Sequence, residues 1–294
     1  MTPSTRCARI AWTTAASALA VGLIGGLTAC GTDAKSSTPD EFKAKIVYVE
    51  SRPDSYEENG KWTGISADAV HAILKSMGAA VDSESASDIA GVIPGVVANR
   101  YNLVGSSFYM TPERCKQVAF SDPLMLVTSA MAYSPNVIVK LTNIDSLVAN
   151  PNLQLGLVQG SFELNLVTAG GVPVSRIAQY PDVTSAVEAL KGGRVDVVMV
   201  DSITLTHIFK TTAGMQDLKL TDPFVPVVKG KPATVENALM FPKGETKVVE
   251  AFNVALAKLR DSGELTKIVA PYGVTEAQIV DAGKKTAAQV CAES

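Results

Sequence analysis

The sequence predicts an α/β fold in which mainly parallel strands are covered by helices on both faces. Three observations carry this. Short β-branched runs alternate with stretches of helical spacing through residues 45–200. Glycines close the helical stretches, at Gly78, at Gly170-Gly171 and at Gly192-Gly193. The run 195–200 holds only Asp196 as a polar residue, the pattern of a strand with both faces buried.

The first expected strand is 45–49, built on Ile46, Val47, Tyr48 and Val49. A helix follows over 66–77, because Ala69, Val70, Ile73 and Leu74 recur at helical spacing. Residues 88–97 predict a second helix and 101–104 a second strand. The pattern then repeats: strand 153–158, helix 161–169, helix 182–190 and strand 195–200. Residues 246–259 and 263–269 are expected to be mostly helical. No repeat of solenoid length is present.

The N-terminus reads as an export signal. Arg6 and Arg9 precede an uncharged stretch from Ile10 to Ala29, which ends at Leu27-Thr28-Ala29-Cys30. Small residues before such a cysteine resemble the lipobox of bacterial lipoproteins. The expectation is a signal peptide over 1–29, lipidation of Cys30 and a flexible tether over 30–41, rich in Ser, Thr, Lys and Pro. The anchored acyl chains, at about 0.8 kcal/mol per buried CH₂, would hold the protein on the extracytoplasmic face of the cell membrane. An ordinary signal with an incidental cysteine and an uncleaved span are the alternatives. In an oxidising compartment Cys115 and Cys291 either pair or remain two separate thiols.

Composition excludes several classes. Hydrophobic residues make up 47% and charged residues 19%, enough for a substantial core. The net charge is -3 and no Lys/Arg run forms a basic stripe, so nucleic acid is not an expected partner. His71 and His207 are the two histidines, and neither HExxH nor CxxC occurs, so no metal site is expected. Aromatic content of 6% argues against a groove built for stacking sugars or bases.

The segment Thr111-Pro112-Glu113-Arg114, continued by Phe120-Ser121-Asp122-Pro123, is the most informative. It resembles the T-P-E-R and F-S-x-P signature of polar-amino-acid-type solute-binding proteins of ABC transporters. Asn59-Gly60 with Gly64, Ile93-Pro94, Gly160-Ser161 and Ala189-Leu190 with Gly193-Arg194 and Asp196 resemble further motifs of that family, in the family's order. The likeness runs over about 46–272. Around 113–121 the wording is especially similar to members that bind ectoine or hydroxyectoine.

The resemblance implies a two-lobed type II periplasmic-binding-protein fold. Each lobe would be a mainly parallel sheet flanked by helices. Lobe 1 would span 42–135 and 238–290, lobe 2 would span 136–237, and crossing hinges would lie near 133–139 and 234–241. It implies a monomer without cofactor or catalytic activity, serving ABC permease subunits. The ligand would be an amino acid or similar zwitterion, bound between the lobes at the C-terminal ends of strands.

The residues point the same way. Arg114 offers a planar fork that matches a carboxylate with two parallel hydrogen bonds. Asp201, five residues after Asp196, stands where amino-acid binders place the acid for the α-ammonium; as a bland alternative it caps the next helix. Ser161 opens a helix and either receives an anion or serves as a cap. Ser107 and Tyr109 correspond to the family loop before the arginine, Tyr109 stacking on ligand or simply packing. Phe108 and Tyr56 are the remaining aromatic candidates, because Asp54 and Ile89 occupy positions where ectoine binders carry aromatics. Glu50 and Asp54 are alternatives for meeting a cationic side chain. Ectoine binding, and an enzyme of the cyclohexadienyl dehydratase type, are the competing readings.

Overall fold

The computed structural model describes residues 41–293. The expected signal, Cys30 and the tether up to residue 40 lie outside the described residues. Two sheets organise the chain. In the first, strands Ala80–Ala86, Lys43–Tyr48, Leu103–Tyr109, Glu236–Phe241 and Ala119–Phe120 lie side by side in that order, and Met125–Leu126 also pairs with Glu236–Phe241. The first three are parallel, and Glu236–Phe241 runs antiparallel to them. In the second, the order is Ile177–Tyr180, Leu155–Val158, Val197–Asp201, Ser129–Tyr133 and Lys219–Leu220. Here too the first three strands are parallel; Ser129–Tyr133 runs antiparallel to them, and Lys219–Leu220 pairs antiparallel with Ser129–Tyr133.

Successive strand residues point to opposite faces, and both faces are covered. Ile46, Tyr48, Leu103, Leu239 and Phe241 join one apolar cluster, while Val47, Val104, Ala238 and Met240 join another. The second sheet divides likewise, with Val197 and Met199 on one side and Val198 and Val200 on the other. Each fully buried large apolar side chain contributes roughly 1.5–3 kcal/mol. Helix Ile65–Met77 packs on Thr246–Asp261 and Glu264–Val269 against the first sheet, and Val183–Lys191 covers the second.

Several elements differ from expectation. The strand expected over 101–104 is Leu103–Tyr109, so Ser107, Phe108 and Tyr109 belong to a strand end rather than a loop. Pairing with Glu236–Phe241 on its far side extends it. Gly105 permits the close approach of Tyr48, whose ring would lie 2.2 Å from a Cβ at that position. Strands Ala80–Ala86, Ser129–Tyr133 and Glu236–Phe241 were not anticipated from periodicity. The residue 135 boundary falls after Ser129–Tyr133, which ladders onto Val197–Asp201 in the second sheet. The chain passes to the second sheet between Leu126 and Ser129 and returns between Leu220 and Glu236. Glu236–Phe241 is a buried strand of the first sheet along its whole length.

Cys115 and Cys291 form a disulfide with Cα atoms 5.8 Å apart, across 176 residues of sequence. It ties the C-terminal helix Ala287–Glu293 to the short helix Pro112–Gln117 that carries Arg114. A cross-link closing so long a loop restricts the unfolded chain strongly, with typical contributions of about 2–4 kcal/mol. Replacing both cysteines by serine is expected to lower the melting temperature by roughly 5–15 °C. Calorimetry of the oxidised parent and the double variant checks this; matching melting curves would refute it.

Candidate functional site

The parallel strands of both sheets direct their C-terminal ends toward one cavity of about 120 Å³. That is close to the roughly 150 Å³ of a cavity that accommodates benzene, so it suits one compact solute. Arg114, Asp201, Ser161, Ser107, Tyr109, Phe108, Asp54 and Ile89 all line it. Glu50 and Tyr56 do not. Tyr56 stands on the hairpin Tyr56–Glu58 and Lys61–Thr63, where the Arg52 guanidinium lies 3.7 Å from its ring centre.

Arg114 owes its place to a local stop in the chain. Thr111 accepts from the Arg114 amide at 3.3 Å, and Pro112 starts the helix with the backbone angle already set. The side chain is 7% exposed and lies over Phe108, 5.0 Å from the ring centre. It donates from Nη1 to the Tyr109 carbonyl at 3.0 Å and from Nη2 to the Gly160 carbonyl at 3.5 Å. Burial pulls its pKa down to about 10, which leaves it charged near neutrality. A guanidinium has five N–H donors, so the fork retains capacity for a carboxylate.

Asp54 is set by backbone. Pro53 and Asp54 give their carbonyls to the amides of Ile65 and Ser66 at the start of helix Ile65–Met77. Gly64 adopts φ 117°, and a Cβ there would meet the Asp54 carbonyl oxygen at 2.6 Å. The Asp54 carboxyl accepts from Ser66 Oγ, from the Ser107 amide at 3.2 Å and from Ser107 Oγ at 3.0 Å. Burial pushes its pKa up to about 6, against the pull of those hydrogen bonds.

On the second sheet, Ser161 and Asp201 both cap helices. Ser161 Oγ accepts from the Leu164 amide at 3.1 Å, opening Phe162–Ala169. Asp201 Oδ1 accepts from the Thr204 amide at 2.8 Å, opening Ser202–Thr211. Burial raises the Asp201 pKa, while its bonds within the Thr204 turn oppose this. The cap and the cavity wall are thus the same side chains. Asp196 instead accepts from the Gln154 amide at 2.8 Å, a structural contact outside the cavity.

Tyr109 stacks on Phe162 across the cavity with ring centres 4.2 Å apart, so one face of each ring is taken by the other. Phe162, Glu163 and Asn237 line the cavity but were not singled out from sequence. Glu163 follows Ser161 in the first turn of its helix, where an acid ordinarily complements the helix dipole at the surface. Its position just after a strand and a Gly-Ser turn was the available signal, because that turn aims the first helical residues at the strand ends. Burial, and then the charge of Asp201, push Glu163 up to about 7.

Two α/β sheets whose strand ends enclose a mainly apolar cavity with a few charged groups have the architecture of a type II periplasmic binding protein. Residues 45–275 match the bacterial extracellular solute-binding proteins, family 3, and the chain belongs to that family. It is similar to a probable amino-acid ABC transporter periplasmic-binding protein of Sinorhizobium fredii, 25% identical over 266 residues that cover 86% of each chain. It is also similar to an arginine-binding extracellular protein of Bacillus subtilis, 26% identical over 82% of this chain and 90% of the relative. Among solved structures, the hydroxyectoine complex of EhuB matches with a TM-score of 0.77 and 29% identity, covering 87% of this chain and 96% of that one. These relatives are named for binding solutes, and that reading replaces the dehydratase alternative.

A carboxyl that holds its proton more tightly when folded favours the fold below its folded-state pKa and loses that contribution as the pH rises through it. For Glu163 the window runs from 4.5 to about 7. Burial and the charges of Arg52 and Lys210 depress His207, which works in the opposite sense, so variant and parent are compared at each pH. Glu163→Gln is expected to raise the melting temperature of the ligand-free protein by roughly 3–8 °C near pH 8, and by much less near pH 5.5. A pH-independent difference in thermal melts would contradict this.

Proposed function

We propose that this protein is the lipid-anchored, extracytoplasmic receptor of an ABC importer and captures a small zwitterion, an amino acid, between its two sheets. One observation carries the reading: a buried guanidinium fork and the half-buried carboxyl of Asp201 line the same small cavity, each held from a different sheet. The fork suits a carboxylate and Asp201 suits an ammonium. Chain passages near Leu126–Ser129 and Leu220–Glu236 are the hinges about which the two halves close on the solute. The relatives named for amino-acid transport and for arginine support the solute class.

Hydroxyectoine is the second reading, favoured by the EhuB complex and by the rings of Phe108, Tyr109 and Phe162 in the lining. Those rings are engaged with Arg114 and with each other, which weakens the case for an aromatic cage.

A solute that binds only the folded form raises its melting temperature. A thermal-shift series of amino acids, betaines and ectoines is therefore expected to give its largest shift with an amino acid. Arg114→Ala is expected to weaken that binding by about 30-fold or more in calorimetry, since it strips a buried charged partner from the carboxylate. Unchanged affinity in a folded Arg114→Ala variant would remove the residue from the site. Cys30→Ser is expected to move the protein from the membrane fraction to the soluble fraction; continued membrane association would refute the lipid anchor.

A further inference from the structure

The cavity holds more acid than a plain zwitterion uses. Among the described residues, Arg114 is the one cationic side chain in its lining, against Asp54, Glu163 and Asp201. Asp201 answers an ammonium, and Asp54 is satisfied by Ser66 and Ser107. Glu163 is left over. It is 5% exposed, it lines the cavity, and its Oε1 has no hydrogen-bond partner. Among the described residues no ion pair joins it to Arg114 or to any other cation. Asn237, opposite Tyr109 in the first sheet, lines the same cavity and leaves Oδ1 unmatched. A carboxylate oxygen and an amide oxygen are acceptors, and buried acceptors require donors. Among the described residues no group of acids, histidines or cysteines is placed to hold a metal ion, and N–H groups of an organic solute are donors that fit these oxygens.

We propose that Glu163 is the specificity-determining residue of this site, its free oxygen receiving the N–H groups of a second positive group, so that the preferred solute is an amino acid with a cationic side chain. This rests on the amino-acid reading above and narrows it. The cation would also return Glu163 to its charged form, against the burial that pushes its pKa up to about 7.

Calorimetry on the full-length protein with L-lysine and L-norleucine, and with L-arginine and L-citrulline, tests this, because each pair differs in the side-chain charge. The cationic member of at least one pair is expected to bind about tenfold tighter or more. Glu163→Gln is expected to erase that preference, bringing the two members of the pair to within about threefold of each other. Glu163→Asp, which keeps the charge, is expected to retain part of it. Equal or tighter binding of the neutral members by the parent, a comparison that needs no variant, overturns the proposal and leaves the amino-acid reading standing. A preference that survives in a folded Glu163→Gln variant overturns it as well. Binding of none of the four solutes sinks both readings together.

Discussion

Arg114 donates to the Tyr109 carbonyl, at the end of a strand in the first sheet, and to the Gly160 carbonyl, in the turn after a strand in the second. A buried cation of this kind is tolerated because it is hydrogen-bonded and because acids stand near it. Its pKa, lowered to about 10, remains far above neutrality, so the fork stays positive at any physiological pH. Everything else in the cavity is arranged around that constant charge. The helix start at Thr111-Pro112 sets where it emerges, the disulfide at Cys115 fastens the next residue, and Phe108 supports it from beneath.

The acids behave differently. Burial raises Asp54, Glu163 and Asp201, and the first two reach about 6 and about 7. The cavity therefore has one fixed charge and three acids whose charge depends on what lies beside them. Enclosing all three acids in ionised form opposes burial, and a cationic group among them relieves it. On the proposed reading, the electrostatics of closure are in this way tied to the solute. A neutral apolar molecule of the same size would fill the space but leave the carboxyls unmatched, and unpaired buried groups discriminate more strongly than a missing methylene does.

Much of this was legible in the sequence, and the failures have physical causes. The buried parallel strands Lys43–Tyr48, Leu155–Val158 and Val197–Asp201 announce themselves as apolar runs, because both of their faces are covered. Ala80–Ala86 is an exposed edge strand, and its Asp, Ser and Glu residues carry no hydrophobic period to read. Ser129–Tyr133 and Glu236–Phe241 are buried on both faces and short, and nothing local separates such runs from a linker between lobes. The eight candidate residues, which line one cavity, came from comparison with family motifs rather than from periodicity, since a cavity wall gathers single residues from distant strand ends. Glu163 escaped because an acid in the first turn of a helix is ordinary, and only the facing sheet makes it buried.

The division of labour among these residues bears on how the site can change. Thr111, Ser161 and Asp201 each cap a helix, a role that contributes about 1 kcal/mol to stability, so their chemistry is bound to the fold. Gly64 and the turn at Pro53 and Asp54 are fixed by close backbone contacts in the same way. Glu163 and Ile89 cap nothing and face the cavity with their side chains. Substitution there alters charge or volume against the solute while the strand ends, caps and turns that build the cavity stay in place. On the proposed reading, the grip on a carboxylate and an ammonium is built into the architecture, and the preference for a particular side chain rests on positions the architecture leaves free.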